Sequence, residues 1–305
     1  MNKYIRKCGK TSDILPLAYL ITFGLLLLGQ LVGLPISALA EGQVPWLNIA
    51  LRYFNFIGIW IIGLLFIYRR DNEPMKAVLM PNDTGNTWKW ILIGSGIGLG
   101  TNALCAVLSL LFKDIALSFS CFEPIQLIII LLCVAVQSGA EELMTRCYLL
   151  EKLARRYKSP YVAIIGNAVL FGLLHFTNDG VNFWGAAQTM IIGVMLSLMV
   201  MYYNSFWGAV MVHTLWNYSQ NIIFGLPNSG IVSPYSIFHL DAASSGFFFD
   251  PGFGIEGSPG ACLLLLLCIV LFVLDIRKRN LKPIDLWKQA EEQAEQAAAA
   301  EKPAQ

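Results

Sequence analysis

Charged residues are scarce. Lys, Arg, Asp and Glu make up 13% of the 305 residues, against about 25% in a soluble domain. That shortage excludes a water-facing globule. The net charge of +1 offers no basic surface for nucleic acid. The 7 cysteines are an odd number without a CxxC pair, and Cys105, Cys133, Cys147, Cys262 and Cys268 sit in apolar runs. This excludes a disulfide scaffold and a Cys-rich zinc site and leaves buried thiols. There is no HExxH, no internal repeat and no sign of a second domain. Histidine occurs 3 times, and the stretch at about 225–260 has neither Lys nor Arg.

What is abundant is apolar sequence, 56% of the chain, with a mean hydropathy of +0.60. The expected fold class is all-α, a polytopic transmembrane helix bundle in the cell membrane, in contact with lipid. A span needs ~20 residues. Runs at 16–36, 47–68, 89–112, 125–149, 161–178, 185–203, 206–224 and 261–276 predict about eight. The first ends in Ser37-Ala38-Leu39-Ala40, which resembles a signal-peptidase site. Its apolar run is longer than the ~7–15 residues of a signal core, so an uncleaved span is expected. Asn204-Ser205 is the only polar break in 185–224 and predicts a tight helical hairpin, with Ser205 as N-cap of the following helix. With the N-terminus inside, every Lys and Arg except Arg52, Lys113 and Arg146 falls on the inner side, which predicts N-in, C-in by the positive-inside rule. Residues 1–282 read as a single transmembrane domain. Residues 283–305, rich in Ala, Glu and Gln, read as a cytoplasmic tail, a frayed helix or disordered. The phenylalanines of 225–260 predict a structured loop that dips into the interface, because an exposed loop would leave them in water.

Against this background Glu141, Glu142 and Arg146 stand out. A charge at membrane depth costs roughly 2.5–3.5 kcal/mol on insertion scales, so these side chains must pair, face a polar interior or do chemistry. Glu142 and Arg146 are one turn apart and can form an ion pair. Glu141 then points about 100° away, toward a different neighbour, less neutralised and suited to general acid–base work. As plain structure, the same three residues would be a polar cluster that fixes helix packing. The fifth run carries His175 at its end, with Phe171 one turn before it to pack on the ring and Asn167 and Asn178 on roughly the same face. The seventh carries His213 and Asn217, one turn apart, two donors suited to a developing oxyanion or a packing pair. At about 1.5 Å per residue, Glu141 lies roughly 15 Å, His175 roughly 20 Å and His213 roughly 10 Å from the inner ends. Three helices therefore bring polar groups to one slab, slightly toward the cytoplasmic half.

Together Glu141-Glu142-xxx-Arg146, Phe171-xxx-His175 and His213-xxx-Asn217 resemble the CPBP family, the CAAX-processing and bacteriocin-processing intramembrane proteases, whose pattern is EExxxR, FxxxH and HxxxN/D on three spans. The resembling core covers about 125–224, and the loop segments 225–230 and 253–258 also look like loops of bacterial members. The resemblance implies an intramembrane endopeptidase acting on a membrane-associated, lipidated or bacteriocin-like peptide. Glu141 and His175 would activate a water, His213 and Asn217 would hold the oxyanion, and Glu142 and Arg146, with Phe171, would support the site. No cofactor is required by this scheme, although Glu141, His175 and His213 also suit zinc. Two other readings of the same residues are a non-catalytic membrane immunity or binding protein and a proton-coupled transporter. The transporter reading lacks the inverted repeats that such proteins carry.

Overall fold

Long apolar sequence gives the backbone no water to bond, so the chain folds into helices that satisfy their own N–H and C=O groups. The computed structural model describes residues 10–157 and 159–300. Lys3, Arg6, Lys7, Lys158 and Lys302, all counted toward the inner side, lie outside the described residues. The chain runs through α1 (Leu15–Ala38), α2 (Pro45–Phe54), α3 (Ile57–Ile67), the short α4 (Lys76–Leu79) and α5 (Trp88–Leu111). After these come α6 (Pro124–Glu142), α7 (Leu150–Arg156), α8 (Pro160–Leu174), α9 (Phe183–Tyr203) and α10 (Phe206–Tyr218). The chain closes with α11 (Pro259–Lys278) and α12 (Leu286–Ala300).

Among the described residues, 6 helical segments are long and apolar enough to cross a membrane: α1, α2–α3, α5, α6–α7, α9 and α11. The helices at the expected fifth and seventh spans are shorter. α8 has 15 residues and α10 has 13, extended by a π-helical turn, Ser219–Ile223. The second span is broken at Asn55-Phe56. The break lets α3 lie backbone to backbone on α1, where a Cβ at Gly58 would strike the Gly29 carbonyl and one at Gly33 the Asn55 carbonyl. In the same way Gly94 and Gly98 of α5 leave room for the backbone of α10 at Gly208 and Val212.

Beside the expected helical bundle the chain forms one two-stranded sheet. β1 (Ile115–Phe119) pairs antiparallel with β2 (Phe238–Ala243), with Leu117 opposite Leu240 and a bulge between Ala116 and Leu117. Runs this short carry no clear period, and the partner strands are more than a hundred residues apart. The loop that holds β2 is structured, as expected: Phe249 and Phe253 are buried, while Phe247 is exposed.

The hairpin at Asn204-Ser205 is present, with Asn204 in the left-handed region at φ 54°. Ser205 is the N-cap residue, as expected, but its hydroxyl makes no capping bond. Asn86, just before α5, does the job instead: its Oδ1 accepts from the N–H of Phe206 (2.8 Å) and of Trp207 (3.2 Å). A tertiary partner supplies the acceptor that helix N-termini require.

The bundle has two unlike ends. One gathers Lys10, Arg69, Lys89, Lys152, Arg156 and Lys278. There Asp13 is buried between Lys152 (3.0 Å) and Arg155 (2.6 Å). Burial works to raise its pKa, but the bonds and charges of Arg155 and Lys152 outweigh burial and hold it below the ordinary carboxylate value. The tail, expected as a frayed helix or disordered, is helical over Leu286–Ala300. Its first turn is docked here, with Trp287 Nε1 donating to the Glu151 carbonyl (3.1 Å) beneath the Arg155 guanidinium. The opposite end holds β1, β2 and the long loop, and among the described residues only Arg52 and Lys113 bring positive charge to it.

Candidate active site

Glu141 and Glu142 end α6, where the helix widens into a π-helical stretch, Leu143–Leu149, before continuing as α7. Wide turns of this kind recur at functional sites because they re-aim the side chains that follow. Arg146 sits inside the stretch, fully buried, with Nη1 on Glu142 Oε1 (3.0 Å) and on Thr145 Oγ1 (2.7 Å). Its guanidinium lies 4.2 Å from the centre of the Phe171 ring, a cation–π contact strengthened by the lack of water. The ion pair expected from spacing is present.

Glu141 has a hydrogen-bond partner that Glu142 lacks, Gln137, yet it also approaches the ring that Glu142 bonds. Both carboxylates meet His213, which α10 carries between them: Nδ1 is 2.9 Å from Glu142 Oε1 and Nε2 is 3.8 Å from Glu141 Oε2. Spacing along one helix gives the angle between the two glutamates but not the width of a ring that reaches in from another helix. A carboxylate accepts, so Nδ1 donates to Glu142. Glu141 Oε1 accepts from Gln137 Nε2 (2.6 Å), while Oε2 is buried without a protein partner.

His175 is the C-cap residue of α8. Its Nδ1 lies 2.8 Å from the Phe171 carbonyl. A carbonyl only accepts, so Nδ1 carries the hydrogen and Nε2 is left with a lone pair. Phe171 packs on His175 with ring centres 4.8 Å apart and meets His213 edge-on at 5.9 Å. It therefore spaces the two imidazoles as well as packing on one. Asn217 Nδ2 donates to Gln137 Oε1 (3.1 Å), and its Oδ1 accepts from Asn228 (3.3 Å). Of the expected polar stripe, Asn178 lines the cavity, whereas Asn167 bonds Ser197 of α9 inside the bundle.

Glu141, His175, His213 and Asn217 line one cavity of about 620 Å³. Phe23 and Leu27 of α1 and Leu173 of α8, all partly exposed on the lateral surface, form its apolar side. Two cavity residues were passed over by the sequence reading. Gln188 of α9 is 1% exposed and neither end of its amide has a protein partner. Glu256, from the loop, is buried and accepts from Trp216 Nε1, Asn228 Nδ2 and both the N–H and hydroxyl of Ser229. Burial raises its pKa, with the Ser229 bonds acting against the rise. Its carboxylate holds the loop segment over the site. The only sequence signal for Glu256 was its place in the 253–258 segment, and for Gln188 there was none.

The zinc alternative is tested by the donor set. Among the described residues no three His, Cys, Asp or Glu side chains stand together as a metal-binding group. Glu141, His175 and His213 are not gathered into such a group, and no step below is routed through a metal.

Residues 123–219 match the family model described as Type II CAAX prenyl endopeptidase Rce1-like. A Bacillus subtilis (strain 168) relative, "Uncharacterized protein YyaK", is 26% identical over 155 residues. That match takes in 48% of this chain and 50% of the relative, so it spans half of the curated protein's length. The family match contains all three motifs and ends before the loop that carries Glu256, so the similarity to Rce1-like endopeptidases is one of residues 123–219.

Proposed function

We propose that the protein is an intramembrane endopeptidase of the cell membrane that hydrolyses a peptide bond in a membrane-associated peptide or protein. The observation that carries this reading is that Glu141, 3.8 Å from His213 Nε2, lines one cavity together with both intramembrane histidines. A water in that cavity is activated by Glu141, with the lone pair of His175 Nε2 as second base, and attacks the scissile carbonyl. Its proton passes to this pair and then to the leaving amine. The negative charge on the carbonyl oxygen is met by His213 Nε2–H, in the doubly protonated ring, and by the free amide hydrogen of Asn217. Glu142 and Arg146 keep the His213 ring in place, and Phe171 keeps it apart from His175.

The test is comparative proteomics of membrane and culture fractions from cells carrying the wild type or Glu141→Ala. Glu141→Ala and His175→Ala are expected to insert at normal levels and to leave precursors uncut. Wild-type processing by either variant would refute the assignment.

A further inference from the structure

The cavity has a direction. Its loop-side lining comes from Ser37, Arg52, Thr177, Asn228, Ser229 and Ile231. Ser37 lies in the last turn of α1, Thr177 follows α8, and Asn228, Ser229 and Ile231 follow α10. These are the ends where β1, β2 and the long loop lie. Arg52, Thr177 and Ile231 are exposed there, Ile231 by 53%. None of the cavity's lining residues comes from the basic end. The Tyr19 hydroxyl donates to the Gly166 carbonyl and the Leu15 N–H to the Tyr157 hydroxyl (3.1 Å), so α1 closes on the start of α8. Below that contact Asp13, Lys152 and Arg155 form a buried ionic plug. Depth counted along single helices favours the cytoplasmic half. The helices differ in length, however: α8 ends at His175, level with the start of α9, so the site lies toward the other end.

Positive charge marks the side that is not translocated. Among the described residues the mouth end carries two basic residues, Arg52 and Lys113, beside Glu41, Asp114, Glu123, Asp179, Asp241 and Asp250. We infer that the site is served from the membrane face opposite the basic end, the non-cytoplasmic face, and that its substrates are segments already translocated: the outer flanks of exported or membrane-anchored proteins. The substrate half of this statement rests on the peptidase reading. The direction of the mouth rests on geometry and charge alone.

The experiment is cysteine labelling of the full chain in intact cells with a membrane-impermeant maleimide. Ile231→Cys and Thr177→Cys report the mouth, Lys278→Cys reports the basic end, and the unsubstituted chain gives the background of its native cysteines. The mouth positions are expected to label several-fold above background in intact cells, and Lys278→Cys only after permeabilisation. Mouth positions that stay silent until permeabilisation, or in both conditions, would overturn the inference, as would outside labelling of Lys278→Cys. If a mouth variant does not accumulate, Ser37→Cys reads the same face. Adding Glu141→Ala to Ile231→Cys leaves the labelling unchanged. Loss of processing thus bears on the peptidase reading and the labelling pattern on the direction of access.

Discussion

Removing one partner of the Glu142–Arg146 pair should be far more damaging than removing both. The two are buried with N···O at 3.0 Å, and at an effective dielectric of ~20 their attraction is about 5 kcal/mol. Taking each ion out of water costs several kcal/mol, so the intact pair is near break-even, while breaking it costs about 3–5 kcal/mol. Glu142→Gln leaves the Arg146 cation with the Phe171 face and the Thr145 hydroxyl, and should fall at the upper end of that range. Arg146→Met leaves the Glu142 carboxylate with His213 Nδ1 as its remaining donor, and should fall nearer the lower end. The double variant has no buried charge at either position and should recover to within about 1 kcal/mol of wild type. Reversible unfolding in detergent micelles gives the four stabilities of the cycle. The expected coupling is at least about 3 kcal/mol, and additivity within about 0.5 kcal/mol would refute the argument. Peptidase activity should stay lost in the double variant, because His213 no longer has a carboxylate on Nδ1.

Gln188→Leu removes a buried amide with no protein partner. An unsatisfied polar group costs about 1–3 kcal/mol, so this variant should be as stable as wild type or more so while its turnover falls. A loss of stability measured in the same unfolding assay would mean that the amide is satisfied in the folded protein. Asp13 has a folded pKa below its unfolded value. Its contribution to stability is therefore complete above the unfolded carboxylate value and is lost as pH falls toward the folded one. Asp13→Asn should flatten that acid-side decline in unfolding measured against pH, and an unchanged slope would count against the plug at the basic end. Protein stripped by a strong chelator, with its metal content checked, should retain full peptidase activity, since the Glu141, His175 and His213 donors do not form a ligand group. Activity that falls on stripping and returns with zinc would reverse that reading.

Much of this molecule is local and therefore legible along the chain. Apolar runs of about 20 residues specify helices because lipid offers the backbone no other partner. The i,i+4 spacing of Glu142 and Arg146 or Phe171 and His175 specifies contacts within one turn, and these contacts are present. The three motifs supply Glu141, Phe171, His175, His213 and Asn217 to the cavity lining. The remainder depends on distances between helices, which no spacing along the chain encodes. Asn86 rather than the Ser205 hydroxyl caps α10, because a loop more than a hundred residues away brings its amide to that N-terminus. The pairing of β1 with β2 is equally remote.

The sequence alone therefore determined a helical membrane protein and the identity of its polar centre. Both follow from the cost of placing charge and unbonded backbone in lipid. Only the tertiary structure decided that both glutamates close on one imidazole, that Gln188 and Glu256 join the site, and that the cavity opens away from the basic end. Those features are set by how far each helix extends past its neighbours and which loop folds back over them, and the packing of the whole bundle fixes both.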